Sequence, residues 1–369
     1  MPISFVDQLG LTVPLIQAPM AGVATPELAA AVSNAGALGS IGVGVLNAQD
    51  AGAMVSQTRA RTDRAFNVNV FVHAGAAPDP VRDAAWLDWL APVFAELGAE
   101  PPETLRSPFT SFADDPAMLT MLLDLVPPVV SFHFGLPTAD AIAALRARGI
   151  VVMATATSVE EARAIEAAGV DVVVAQGIEA GGHRGVFDPV ALDDALGTVA
   201  LVRLLAKKTN LPIVAAGGIM DGAGIAAALD LGAVAAQLGT AFIACPESTA
   251  DDAYRTALAG PAAYHTTLTS VISGRPARAL SNRFTALAAS LGDRRAPDYP
   301  IAYDAGRSLH AAARAKGEHG FGAHWAGQGA PLARSMPARE LVHALKLELE
   351  AAQVRPDAAR IFEGRQESA

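Results

Sequence analysis

The chain has 369 residues, 51% apolar and 17% charged, so it can bury a large core and is no disordered polymer. The length is long for one ordinary domain and normal for an α/β barrel with an insertion. A formal net charge of −10 argues against nucleic acid and anionic membrane as partners. One cysteine, Cys245, excludes an intrachain disulfide and any cysteine-based zinc or iron–sulfur site within one chain.

The N-terminus, MPISFVDQLG, has no basic region followed by an apolar stretch. No secretory signal is expected, and a cytoplasmic location fits the cysteine usage. Strand-like runs then occur at Leu15–Met20 and Leu38–Gly44. Between Leu28 and Val45 there is no charge, but Ser33, Asn34 and Gly36 end a helix there, so the stretch is not a membrane span. Further runs follow at Phe66–Val72, Val129–Phe134, Ile150–Thr155, Val170–Gln176, Pro212–Gly217 and Ala233–Phe242. Ala-rich amphipathic stretches lie between most of them, with Thr25, Thr138 and Ser158 placed as N-caps.

Eight strands with intervening helices predict an α/β fold, a closed (β/α)8 TIM barrel. An open Rossmann sheet would show GxGxxG after its first strand, whereas this strand ends QAPMAG. Residues 74–110, with Trp86 and Trp89, form an excursion after strand three. The expected division is a barrel over 1–250, completed by a C-terminal helix at about 336–369. A smaller, mainly helical substrate or lid domain over 251–335 is inserted after strand eight.

Ligands of such barrels sit at the C-terminal ends of the strands. Gly217-Gly218 and Gly239-Thr240 follow strands seven and eight and are expected to open helices whose amide groups bind a phosphate. The alternative is that they only make tight turns. Asn69 and Gln176 offer an amide pair for a heterocycle, and Ala18–Gly22 could cover one of its faces. FMN fits both features; a sugar phosphate would leave the amide pair unexplained.

His183 lies in the loop QGIEAGGHRG, where Gly181 and Gly182 let the main chain approach a ring, and it can exchange a proton with substrate. Glu179 and Arg184 could tune it or pair outside the loop. Strand alternation turns His133 one way and both Phe132 and Phe134 the other. His133 then either bonds a substrate oxygen or is an interior histidine, and His73 poses the same question at another strand end. His319 and His324 read as a polar loop and no metal is expected. Tyr299 and Tyr303, four apart, either line the pocket or pack.

QAPMAGVATPELAAAVSNAGALGS, FNVNVFVH, AQGIEAGGHRG, PIVAAGGI and AAQLGTAF together resemble the nitronate monooxygenases, formerly called 2-nitropropane dioxygenases. WAGQGAPLAR, from Trp325 to Arg334, is similar to the bacterial class I branch. The resemblance implies FMN contacts at Met20, Ala21, Gly22, Asn69, Gln176, Gly181, Gly218 and the run Gln237, Leu238, Gly239 and Thr240. It implies that His183 is the catalytic base or proton-handling residue, with His133 close to substrate and Tyr299, Tyr303 and Arg307 selecting it.

The implied reaction is oxidation of an alkyl nitronate by dioxygen without NADH. Propionate 3-nitronate leads, giving malonate semialdehyde with nitrite and nitrate. Arg184, Arg307 or protonated His183 would face the anion. An NAD(P)H-dependent quinone or enoyl-thioester reductase on the same barrel is the alternative, and a non-catalytic flavin-binding protein the third reading. A surface helix could make a homodimer.

Overall fold

The computed structural model describes residues 4–76 and 78–354. Eight parallel strands form one sheet: β1 (Leu15–Gln17), β2 (Gly39–Gly42), β3 (Phe66–Phe71), β4 (Val129–His133), β5 (Val151–Ala156), β6 (Val172–Gln176), β7 (Ile213–Ala216) and β8 (Ala235–Leu238). Each pairs with its sequence neighbour from β2 to β8, and β1 pairs with β8. The last gap is closed by a parallel bridge from Ile16 to Leu38, where Gln17 N donates to Leu38 O at 2.9 Å and Leu38 N to Leu15 O at 2.9 Å. The expected barrel is present; seven strands lie inside their predicted runs, and β5 extends one residue beyond its run, to Ala156.

Strand parity decides what the barrel holds. Val129, Val151, Met153, Val172 and Val174 fill the interior, while Val130, Phe132, Val152 and Val173 pack outward against the helices. Alternation then carries Asn69, His133, Thr155 and Gln176 inward at the C-terminal ends of their strands, where ligands of this architecture bind.

The outer helices start where the sequence predicts. Thr25 Oγ1 accepts from Leu28 N, Thr138 from Ala141 N and Ser158 from Glu161 N, each satisfying a free amide of a first turn. The helix Ala338–Gln353 packs between helices Gly222–Asp230 and Pro26–Asn34 and completes the ring. The rest of the C-terminal run expected at 336–369 lies outside the described residues. Among the described residues no helix is long and apolar enough to cross a membrane.

The body over the barrel mouth draws on two stretches of chain. After β8 come helices Asp252–Ala259 and Ile301–Ala315 and the strands Thr266–Thr269 and Ala277–Leu280. Helix Pro80–Glu96, from the excursion after β3, shares their core: Trp86, Leu90 and Phe94 cluster with Ile272, Phe284, Leu309 and Phe321. Arg82 fastens this helix to Asp298 through two bonds of 2.9 and 2.8 Å. A three-stranded antiparallel sheet links the body to the barrel, because Gly182–His183, in the loop after β6, pairs with Ala277 and Arg278.

Candidate active site

A cavity opens where the C-terminal ends of the strands meet this body. Met20, Ala21, Asn69, Gln176, Gly181, Gly217, Gly218, Gln237, Gly239 and Thr240 line it from the barrel, with His133 and His183. Tyr254, Tyr299, Tyr303 and Trp325 line it from above. Three expected residues stand outside the lining. Gly22 is in the turn after β1, Leu238 points into the outer core, and the Arg307 guanidinium sits 5.7 Å over the Phe109 ring. No described lining residue is Asp, Glu, Lys or Arg.

His183 is held at both its backbone and its ring. Its carbonyl accepts from Gln176 Nε2 at 3.0 Å and His133 Nε2 at 3.1 Å. Its own Nε2 lies 2.8 Å from Ser273 Oγ, and the Ser273 hydroxyl donates to Arg275 O at 3.3 Å. That hydroxyl proton is therefore spent on the carbonyl, which leaves Oγ to accept from the ring. The His183 proton sits on Nε2, and Nδ1 has no hydrogen-bond partner among the described residues. Phe134, Tyr299 and Trp325 surround the ring at 5.6, 5.4 and 5.0 Å between centroids. Burial, then the neighbouring His133 and Arg275, push its pKa down to about 3, so it is neutral at physiological pH.

His133 resolves the choice left by strand alternation. It lines the cavity, yet both ring nitrogens are engaged: Nε2–H with the His183 carbonyl and Nδ1 with Thr155 Oγ1 at 3.0 Å. Burial holds its pKa at about 4. Gln176 is also more committed than expected, since its Oε1 accepts from Gly185 N at 2.7 Å while its Nε2 holds the His183 carbonyl. Asn69 Nδ2 is spent on Ser131 O and Oγ at 3.1 and 2.9 Å, which leaves its Oδ1 as the acceptor toward the cavity.

Two local expectations are corrected and one open choice is decided. Phe134 does not follow Phe132 to the outer face: β4 ends at His133, and a φ of +78° swings Phe134 to within 4.5 Å of the His133 ring. Glu179 and Arg184 do not tune His183. The Glu179 carboxylate caps the helix at Thr198, accepting from its N at 2.9 Å and Oγ1 at 2.8 Å. Arg184 is buried against Asp193, with two bonds of 2.8 and 2.9 Å, and also donates to Gln176 O. None of the cations expected to face an anion is therefore free at the cavity wall, His183 being neutral.

The glycine turns also differ from the expectation. Gly217 and Gly218 take φ of +133° and +69°, but the helix begins only at Gly222 and is capped by Asp221, whose Oδ1 accepts from Gly224 N at 2.8 Å. After β8 there is only a 3₁₀ turn over Thr240–Phe242. What remains for a phosphate is the main chain of the two turns rather than two helix ends. Room for a flat ring is kept by absent side chains: a Cβ on Gly182 would meet nothing within 4 Å, and one on Gly239 only Ala18 and Met20 at 3.4 and 3.9 Å. Main-chain donors, an amide acceptor and bare glycine walls fit a flavin.

Among the described residues no group of three metal-ligating side chains exists; His324 is buried and stacks on Tyr254 at 4.7 Å. Cys245 is buried with its thiol pushed up to about 12, which keeps it protonated. Ser273 and Arg275 were missed in the sequence. The available signal was a Ser-Gly-Arg step directly after the apolar pair Val271-Ile272.

The sequence model of the family described as nitronate monooxygenase matches residues 4–348. A nitronate monooxygenase from Paraburkholderia phytofirmans is 62% identical over 345 residues, covering 93% of each chain. Another, from Pseudomonas aeruginosa, is 57% identical over 345 residues, 94% of this chain and 98% of its own. Among solved structures, nitroalkane oxidase from Streptomyces ansochromogenes superposes with a TM-score of 0.86 at 42% identity, covering 94% of this chain and 99% of that one.

Proposed function

This chain belongs to the nitronate monooxygenase family, whose enzymes are flavin-dependent, and we propose that it uses FMN to oxidise a small alkyl nitronate with dioxygen. Propionate 3-nitronate is the leading substrate, yielding malonate semialdehyde with nitrite and nitrate. The bound flavin would supply the redox chemistry, taking electrons from the substrate and passing them to oxygen.

The observation that carries this reading is the cavity itself, where glycine turns and Asn69 Oδ1 leave room for a flat ring on the barrel side and His183 presents an unpartnered Nδ1. Burial also holds His183 well below the usual imidazole range, which makes it a poor base toward a neutral nitroalkane carbon. A substrate that arrives already ionised needs no such abstraction. His183 is then left to orient the ligand at Nδ1, while His133 and Gln176 act as positioning residues through its carbonyl. Met20, Ala21 and Asn69 would face the flavin ring, and the Gly217-Gly218 and Gly239-Thr240 turns its phosphate. Tyr299, Tyr303 and Trp325 would exclude water above it.

Anaerobic mixing of the flavin-loaded protein with propionate 3-nitronate tests the reading. The visible flavin spectrum should change at once, whereas NADH should leave it unaltered. A spectrum indifferent to nitronate but bleached by NADH would transfer the chain to the reductases. His183→Asn should retain flavin and lose about 100-fold or more in turnover, the scale of a misplaced reactive group.

A further inference from the structure

The protein carries a net charge of −10 and its cavity wall holds no lysine or arginine among the described residues, yet the substrate proposed above is an anion. Arg184 is neutralised by Asp193, and Arg307 lies over Phe109. Arg278 is buried and spends its donors on Ile178 O at 3.0 Å and Thr266 Oγ1 at 3.1 Å.

Arg275 is different. It is 3% exposed, and among the described residues no carboxylate reaches it within ion-pair distance. Its Nη2 donates to the main-chain oxygens of Val186 and Phe187, but its Nε is buried with no partner. The guanidinium carbon sits 4.4 Å over the Phe134 ring. That ring in turn packs 4.5 Å from His133, 5.3 Å from Tyr299 and 5.6 Å from His183, all three on the cavity wall. A buried charge without a counter-ion is costly and ordinarily replaced by an apolar side chain.

We propose that Arg275 is the electrostatic determinant of substrate choice: from one layer behind the aromatic wall, its uncompensated charge makes the cavity select a small carboxylate- or nitronate-like anion over a neutral isostere. This rests on the reading of the site as one for an anionic nitronate. The field of the guanidinium reaches the wall, since it disfavours the protonated forms of His133 and His183 and favours the ionised form of Tyr299. Burial lowers Arg275 itself only to about 10, so it remains charged at neutral pH. After Tyr299, the carboxylates that act on it, Glu161 and Asp188, do so from beyond ion-pair range, and that of Glu161 is already occupied by Thr157 and Phe187 N–H groups. An anion in the cavity would supply the missing counter-charge.

The test uses acetate and acetamide, an anion and its neutral isostere, titrated into the flavin-loaded protein and followed by flavin absorption or calorimetry. A unit charge about 10 Å away at an effective dielectric of about 20 favours the anion by about tenfold. The preference should persist in about 0.5 M salt, because buried charges are screened much less than exposed ones. Arg275→Met should abolish it, weakening acetate about tenfold more than acetamide whatever the loosened loop costs both probes, and Arg275→Lys should restore most of it. For nitronate, Arg275→Met should raise KM more than it lowers kcat. Equal wild-type affinity for the two probes overturns the proposal even if no variant retains flavin, and so does an Arg275→Met protein with the wild-type preference. An intact acetate preference without nitronate turnover would instead sink the proposed reaction and leave this assignment standing.

Discussion

Replacing Ser273 by alanine removes one oxygen from a fully buried position and should move a proton on a side chain it does not share. Ser273 Oγ accepts from His183 Nε2 at 2.8 Å while its own hydrogen is directed to Arg275 O at 3.3 Å. Without Oγ, the Nε2–H is buried and unpaired, a state that costs about 1–3 kcal/mol. The ring escapes that cost by carrying its proton on Nδ1, where the cavity can solvate it. At about 1.4 kcal/mol per factor of ten, the tautomer ratio should swing by roughly 10- to 100-fold toward Nδ1–H. Nitrogen chemical shifts of 15N-histidine-labelled, flavin-loaded protein report the tautomer directly. The wild type should show the Nε2–H form, and Ser273→Ala a mixture or the opposite form, with kcat/KM reduced about tenfold or more. A wild-type ring protonated on Nδ1, or a tautomer indifferent to Ser273→Ala, would refute the reasoning.

Two further outcomes follow from the same loop. A Cβ on Gly181 would lie 2.5 Å from the Ala326 carbonyl carbon and closer still to Gly327 N, so Gly181→Ala should cost about 1–3 kcal/mol and loosen flavin, because main chain cannot yield as a side-chain tip does. Gly182→Ala meets nothing within 4 Å and bears only the strain of φ +76°, about 1–2 kcal/mol; thermal melts that rank Gly182→Ala as more damaging would contradict this. His183 and His133 are held neutral, at about 3 and about 4, against about 6.5 for an unfolded imidazole, so unfolding takes up protons below that value. Stability should be full above pH of about 6.5 and fall toward pH 4 by up to about 1.4 kcal/mol per unit for each histidine, read from denaturation midpoints in buffers of falling pH. A midpoint flat across that range would show that neither ring is held neutral.

The barrel was legible because its strands are buried on both faces and read as apolar runs, and because glycines and caps mark their ends. Parity extended that legibility inward: once Val172 and Val174 are interior, Gln176 must be too. The reading stopped where a single backbone angle decides. Phe134 leaves the alternation at a φ of +78°, which nothing in SFHFG announces. It stopped again where partners are distant in the chain. Ser273 lies 90 residues from His183, and the partition of Glu179 and Arg184 to Thr198 and Asp193 depends on how the loop closes. Trp86 could be read as buried but not as belonging with Phe284 and Phe321, since that pairing needs the body above the barrel to exist first.

A glycine-rich loop would be a poor carrier for a reactive imidazole if it were free, because each glycine adds conformational states that must be lost on binding. Here the loop's carbonyl groups are taken up one after another by buried side chains. Arg184 donates to Gln176 O, Arg278 to Ile178 O, Gln176 and His133 to His183 O, and Arg275 to Val186 O. Two of those arginines come from the segment after β8, and Gly182–His183 adds a ladder to the same segment at Ala277 and Arg278. The loop keeps the thin cover that lets a flat ring approach, while its conformation is imposed from outside. The same guanidinium that holds the loop at Val186 is the one left with charge to spare for an anion.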